Sequence, residues 1–393
     1  MKALQISTPL LALDSPLDDH ARALVTELFT REQQLMDALP SDDPQDPKRY
    51  RRVELTLPEI QQQPQVIADT LARERDNIAQ VAQRIAGAGI KRIYMTGCGD
   101  SLASMLAVRS LFEELLGIAC EPVQALDLAY YYHHTLGPDT LVVTLSSSGT
   151  TTRTVEAMLI AKACGARTLA LSNTPGSALM VESDDQLLIH AQRKGWPTQA
   201  STAAIAVLAQ LALDIAGALQ RKAPRVALLQ QALDAIPAQI AEVIATHGQT
   251  IADIAKREAG RGVYLYAAGG PSYAAALFGA AKVKECTPDH GISIPLEEFH
   301  HYNSQKLGDP LFLIAPAGPS VQRARDSAFE GKRWGGQVYG VVTAGETALD
   351  AHCDVVMKLP AVPEALSALV YSVPVQLFAY HVAMAKFSAA HAS

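Results

Sequence analysis

Aromatic residues are scarce in this 393-residue chain, 6% against a hydrophobic content of 49%. An interior of Ala, Leu and Val suits a soluble α/β or α-rich enzyme. Basic charge is also short. Lys and Arg number 33 against 40 Asp and Glu, a net charge of −7, which excludes the basic face of a nucleic-acid binder. No uninterrupted apolar run has the length of a membrane span, so no membrane contact is expected. Residues 1–20 hold Asp14, Asp18 and Asp19 and lack the basic start of a secretory signal. The five cysteines, Cys98, Cys120, Cys164, Cys286 and Cys353, lie far apart without a CxxC pair. They fit neither a disulfide framework nor a zinc site, and a reducing cytoplasm is expected. Cys98, in a glycine loop, reads either as a reactive thiol or as a small buried residue. The length suffices for two domains with sizeable cores.

What is abundant is local. The apolar run Thr140-Leu141-Val142-Val143-Thr144-Leu145 ends in Ser146-Ser147-Ser148-Gly149-Thr150-Thr151, and an amphipathic helical pattern follows from Thr154. A strand therefore delivers a loop of hydroxyls to a helix N-terminus. Such an end carries unpaired N–H groups and partial positive charge and attracts anions. The loop reads as the cradle of a tetrahedral anion, a sugar phosphate in the first place. A Ser/Thr-rich helix cap is the simpler alternative, although one cap needs fewer hydroxyls.

The chain repeats itself. A shift of 170 residues aligns its halves without a gap: Ile93-Tyr94-Met95 falls on Val263-Tyr264-Leu265, Leu141-Val142-Val143 on Leu311-Phe312-Leu313, and Asp184 on Asp354. Each half reads as four strands alternating with four helices. That pattern predicts an α/β fold in which two parallel, doubly wound sheets are flanked by helices, with ligands beyond the carboxyl ends of the strands. Residues 146–151 fall on Pro316-Ala317-Gly318-Pro319-Ser320-Val321, so the hydroxyl cluster is absent from the second half. The expected divisions are an N-terminal helical extension and linker (1–54), a first domain with the anion loop (55–225), a connecting helical segment (226–257) and a second domain (258–393). A helix is expected at about 16–39. Residues 1–50 have no assigned task.

Further motifs are Thr96-Gly97-Cys98-Gly99-Asp100-Ser101, Ala200-Ser201-Thr202, Ala280-Ala281-Lys282-Val283-Lys284-Glu285 and Glu298-Phe299-His300-His301. Together with the anion loop, over roughly residues 55–390, they resemble the sugar isomerase (SIS) family. The chain is similar to the isomerase half of glucosamine-6-phosphate synthase, and to stand-alone amino-sugar-phosphate deaminases and fructosamine-6-phosphate deglycases. The resemblance implies two tandem SIS domains of flavodoxin-like type. It places Ser101, Ser146, Ser147, Ser148 and Thr151 around the sugar phosphate and Ser201 near the sugar hydroxyls, and Gly99 and Asp100 in the adjoining loop complete the expected substrate-binding residues. It makes Glu285 the carboxylate that shuttles a proton between C1 and C2, with Lys282 supporting it. His301 becomes the residue that opens the sugar ring from the neighbouring subunit, so a homodimer with shared active sites is implied. No cofactor and no metal are implied.

The departures from that family matter as well. Lys2 stands where the synthase has its glutaminase cysteine, and the tail Ala389-Ala390-His391-Ala392-Ser393 has no terminal lysine. Ammonia from glutamine is therefore not expected. Asp100 and Thr150 stand where the family has Thr and Glu. An aspartate beside an anion loop repels a dianion unless it faces an amine or hydroxyls.

Both isomerisation and deamination need a base at carbon next to a carbonyl or imine. A desolvated carboxylate, its pKa raised towards neutrality, can be that base. Read from the residues alone, Glu285 is either such a base, tuned by Lys282 and Lys284, or half of a solvated Glu–Lys pair. His300 and His301 suit proton transfer. Their spacing lacks the i, i+4 pair of helical zinc ligands. His133-His134 reads as a solvated turn. Two functions remain open: an isomerase or deaminase of a phosphorylated amino sugar, with a deglycase as a variant, and a sugar-phosphate sensor without catalysis.

Overall fold

The computed structural model describes residues 11–392 except Leu13, Asp37, Ala38, Pro44 and Asn303. The expectations attached to Lys2 and Ser393 lie outside the described residues, as does part of the helix expected at 16–39. Three helices precede the first sheet: α1 (Asp19–Leu35), α2 (Pro47–Glu54) and α3 (Thr56–Ala86). The first half runs β1 (Arg92–Gly97), α4 (Asp100–Leu116), β2 (Ala119–Gln124), the single turn α5 (Ala125–Asp127), β3 (Thr140–Leu145), α6 (Thr152–Ala163), β4 (Arg167–Ser172), α7 (Ala178–Glu182), β5 (Asp185–Leu188) and α8 (Gln199–Ala218). The long α9 (Ala223–Glu258) leads to β6 (Val263–Ala268), α10 (Tyr273–Cys286), β7 (His290–Pro295), α11 (Glu298–Tyr302), β8 (Pro310–Ala315), α12 (Val321–Arg333), β9 (Gln337–Thr343), β10 (Val355–Leu359) and α13 (Ser367–Ala392).

Both sheets are parallel, and both have the same order, β2-β1-β3-β4-β5 and β7-β6-β8-β9-β10. The repeat is therefore structural: β3 and β4 start 170 residues before β8 and β9, and β1 starts 171 before β6. Each half has five strands rather than four. The strands missed by sequence reasoning, β2 and β7, lie at a sheet edge and bury only Cys120 and Val123 in one and Gly291 and Ile294 in the other. Glu121 and Pro122 in one, Gly291 and Pro295 in the other, disguise them as turns.

The central strands are buried along their length, as sheets covered on both faces require. One apolar cluster joins the halves. It draws Ile93 and Met95 from β1 together with Tyr264 from β6, and includes α3, α8, α9 and α13. Against expectation, two helices are long and apolar enough to cross a bilayer, residues 199–218 and 364–391. They are 83% and 78% buried in the fold, the condition of core helices. Across the seam between the halves α4 packs on α10. That contact brings the N-terminus of α4 to the last turns of α10.

Candidate active site

The strand order of the first sheet reverses between β1 and β3, where open α/β sheets bind ligands. Gly97 pairs with Leu145 in register, so the loops leaving these two strands lie side by side. Gly149 turns the second loop with φ +65°, and a Cβ there would fall 1.9 Å from Ser177 Oγ. Only glycine meets both conditions. Ser146 Oγ lies 2.9 Å from Thr151 Oγ1 and 3.4 Å from Ser148 Oγ, and it accepts the Gly149 N–H at 3.1 Å. Ser147 is fixed through its carbonyl, which accepts from Ser172 Oγ at 3.2 Å, Asn173 N at 3.1 Å and Thr174 Oγ1 at 3.2 Å. Thr150 donates to Ser148 Oγ at 3.1 Å and is exposed at the rim.

Thr151 is the N-cap of α6, yet its side chain does not cap the helix. Neither α4 nor α8 has a side-chain cap. Three helix N-termini thus open towards the same end of the sheet with first-turn N–H groups left for a ligand. Gly99, at φ +56°, starts α4 and sets Asp100 and Ser101 in its first turn. Ser201, in the first turn of α8, lies with its Oγ 3.4 Å from Asp100 Oδ2.

Opposite this wall is the end of α10. The Lys282 ammonium is 1% exposed and lies 2.6 Å from Asp100 Oδ2, and it is also paired with Glu285. Burial alone would lower its pKa, but Asp100 and Glu285 outweigh burial and raise it. The Glu285 side chain keeps 28% exposure. Burial raises its pKa and Asp100 adds to that, while Lys282 opposes them. Glu285 is therefore no solvated surface partner. Lys284, by contrast, is exposed. The repulsion expected between Asp100 and an anion is offset, because Asp100 already faces a buried ammonium.

Sequence reasoning missed the contribution of α2. Arg49, 3% exposed, donates to the carbonyls of Glu285 at 3.0 Å and Thr287 at 3.1 Å and so ties down the C-terminal turn of α10. Arg52 stacks 3.7 Å over the Trp196 ring, on the loop that leads into α8. The signal available was the basic run Lys48-Arg49-Tyr50-Arg51-Arg52 in an otherwise acidic N-terminal region.

The two histidines divide. His300 is 14% exposed, with Nδ1 2.6 Å from Glu330 and Nε2 3.0 Å from Ser327 Oγ, and it anchors α11 to α12. His301 is 61% exposed, and its ion-pair contact is Glu297 at 3.9 Å. Within one chain it stands on the surface of the second half and is not grouped with Glu285. Cys98 is half-buried, its Sγ 3.7 Å from Thr154 Oγ1, and burial pushes its thiol up, away from reactivity. His133 and His134 form a short turn beside the exposed Tyr131 and Tyr132.

The second half presents a matching crevice at Gly269, Gly270, Tyr273 and Ser320. It is furnished differently. Glu364 lies against the loop there: a Cβ on Gly318 would meet its carboxylate at 2.7 Å and one on Gly270 at 3.5 Å. By the 170-residue shift these two positions correspond to Ser148 and Asp100. Burial raises the Glu364 pKa. In the second half, then, the chain's own acid stands where the first half offers hydroxyls.

Comparison with known proteins places this geometry. The SIS domain matches twice, at residues 88–214 and 259–386. A glutamine–fructose-6-phosphate aminotransferase (isomerizing) of Thermococcus kodakarensis is 30% identical over 333 residues, which is 84% of this chain and 54% of that protein. The chain thus spans about half the length of that relative. Among solved structures, the C-terminal domain of glucosamine-fructose-6-phosphate aminotransferase from Francisella tularensis superposes with a TM-score of 0.76 at 22% identity, covering 84% of this chain and 96% of that one. A glucosamine-6-phosphate deaminase from Thermotoga maritima has a TM-score of 0.66 at 19% identity, covering 84% and 94%. With two matched domains spread over most of its length, the chain belongs to the SIS-domain family.

Proposed function

We propose that this protein is a phosphosugar enzyme that isomerises or deaminates a phosphorylated amino sugar by proton transfer between C1 and C2. The observation that carries this reading is the group Asp100–Lys282–Glu285, joined by a buried ammonium opposite the hydroxyl loop. The phosphoryl group sits on Ser101, Ser146, Ser148 and Thr151, with Ser147 and Gly99 shaping the cradle. Ser201 meets a sugar hydroxyl. Glu285, desolvated and raised in pKa, takes the proton from one carbon and returns it to the next. Lys282 holds that carboxylate in place, and Asp100 holds Lys282.

His301 of the partner subunit completes the site as the ring-opening group in a homodimer. Its exposure on α11, away from Glu285 in its own chain, supports that arrangement. The names of the relatives support the substrate class. A reducing, cytoplasmic setting suits the five free cysteines. A sugar-phosphate sensor would have no use for a desolvated carboxylate next to its ligand, so the enzyme reading is preferred.

The test is Glu285→Gln. The variant should bind glucosamine 6-phosphate as the wild type does and should turn it over at least about 10³-fold more slowly, the scale expected when a general base is lost. Full turnover by Glu285→Gln sinks the reading. The wild-type product then sets the reaction. Ammonia marks a deaminase, aldose–ketose exchange an isomerase, and a free amine from a fructosamine 6-phosphate a deglycase.

A further inference from the structure

The hydroxyl loop does not face the sugar side alone. A cavity of about 400 Å³ lies on its outer side, in the range of small-molecule sites. Ser148, Thr150 and Thr151 form one wall, α1 contributes Arg31, Glu32 and two leucines, and Arg193 reaches in from the loop before α8. The helix α1 is fixed there. Its Ala21, Val25 and Leu28 are buried, and Glu32 accepts a hydrogen bond from Thr152 Oγ1 at 2.5 Å, so the negative charge of Glu32 is already engaged with the first turn of α6. Arg31 is 65% exposed and pairs with Glu27 at 2.6 Å on its own helix. Arg193 is exposed, and the charges that act with it are the Glu59 carboxylate, which attracts it, and the Arg52 guanidinium, which repels it.

The internal repeat gives a second, independent pointer. The segment 193–194 corresponds to Pro363-Glu364, and Glu364 reaches the position equivalent to Ser148. Residue for residue, Glu364 corresponds to Lys194, and its neighbour Arg193 is the base that lines the cavity of the first half. The same stretch of chain therefore extends over the loop in both halves, with an acid where the crevice fills itself and with bases where the loop is open.

We propose that Arg193, with Arg31 beside it, is a specificity residue that selects a doubly charged phosphoryl group. Hydroxyls and helix N–H groups alone accept any oxyanion. A guanidinium meeting the outer oxygens of the bound group adds fork-shaped, charge-assisted hydrogen bonds that favour two charges over one. The proposal deepens the functional reading above and rests on it for the seat of the anion. It also gives α1 a place in the substrate site.

The experiment compares two esters of one sugar by calorimetry at pH 8, where a phosphomonoester is a dianion and a sulfate ester a monoanion. The probes are glucosamine 6-phosphate and glucosamine 6-sulfate, with wild type, Arg193→Ala, Arg193→Lys and Arg31→Ala. Wild type should prefer the phosphate. Arg193→Ala should weaken phosphate binding about tenfold or more and sulfate binding by clearly less, so that the preference collapses. Arg193→Lys should keep part of it, and Arg31→Ala should lose a smaller part. In turnover, the Arg193→Ala loss should fall on KM more than on kcat. Unchanged phosphate binding in Arg193→Ala overturns the inference, as does an equal fold-loss on both esters or a wild type without preference. Because binding is read directly, the inference can fail while Glu285→Gln still upholds the catalytic reading, and the reverse can occur.

Discussion

Replacing Lys282 by methionine keeps most of the side chain's length and removes its charge. In the wild type this ammonium is 1% exposed and is the shared counter-ion of Asp100 and Glu285. Two carboxylates bridged by one ammonium stand within about 5–6 Å of each other, and at an effective dielectric near 20 their bare repulsion is about 3 kcal/mol. Removing one partner from a buried ion group costs about 3–5 kcal/mol. At about 2–4 °C per kcal/mol, the melting temperature at pH 8 should fall on the order of 10 °C.

The fall should depend on pH, and its sign follows from the chemistry. Without Lys282 one of the two carboxyls is held protonated in the fold. The unscreened repulsion and the burial of Glu285 raise its folded pKa above its unfolded value. A group whose folded pKa is raised contributes stability below the unfolded pKa and loses it as pH climbs through the folded pKa. The loss in Lys282→Met should therefore grow as pH rises above the ordinary range of a carboxylic acid. Thermal unfolding followed by circular dichroism at pH 5 and pH 8 reads it. The deficit against wild type should be several degrees larger at pH 8. A deficit of the same size at both values, or none at pH 8, refutes the account of this group.

Two further outcomes follow from the same geometry. With Glu285 as base, turnover requires its ionised form, so the acid limb of the kcat profile should lie above the ordinary 4.5 of a glutamic acid, since burial and Asp100 raise it. In Asp100→Asn the limb should move to lower pH; a limb that stays in place in this variant removes Asp100 from the account. For the shared site, Glu285→Gln and His301→Ala should each be inactive alone and should recover activity when mixed and allowed to exchange subunits. Mixtures that stay inactive while exchanging refute a His301 contributed across the dimer.

The fold was legible because its signals are local. Apolar runs of strand length recur at a fixed shift, and the central strands β1, β3 and β4 match β6, β8 and β9 at that shift. The edge strands β2 and β7 were hidden, since a strand with only two of its six residues buried tolerates Glu121, Gly291 and proline. The anion loop was legible for the same local reason, a density of hydroxyls around Gly149. The other wall was legible only in part. From the residues alone Glu285 reads either as a base or as half of a solvated Glu–Lys pair, and it is the packing of α4 against α10 that makes Lys282 a buried cation with Asp100 across the seam. Arg49 was hidden, because what it caps lies 236 residues away in sequence.

The seam also explains why a duplicated chain offers one such site and not two. The helices α4 and α10 are equivalent in the repeat and pack on each other, so each end of their contact is a potential site. At one end stand Asp100, Lys282 and Glu285. The equivalents at the other end are Gly270, Phe112 and Leu115, and Phe112 and Leu115 are fully buried. All three charges are present at one end and all three are missing at the other. Partial sets would be costly. A buried lysine or glutamate without its partner loses several kcal/mol, a large part of a domain's net stability of about 5–15 kcal/mol. A group of this kind is therefore held or lost as a unit. Once it is lost, the adjoining loop no longer needs hydroxyls, and at Gly318 the chain's own Glu364 fills the crevice. The loop at 316–321 without its hydroxyls and the buried apolar pair Phe112 and Leu115 thus go together within the repeat.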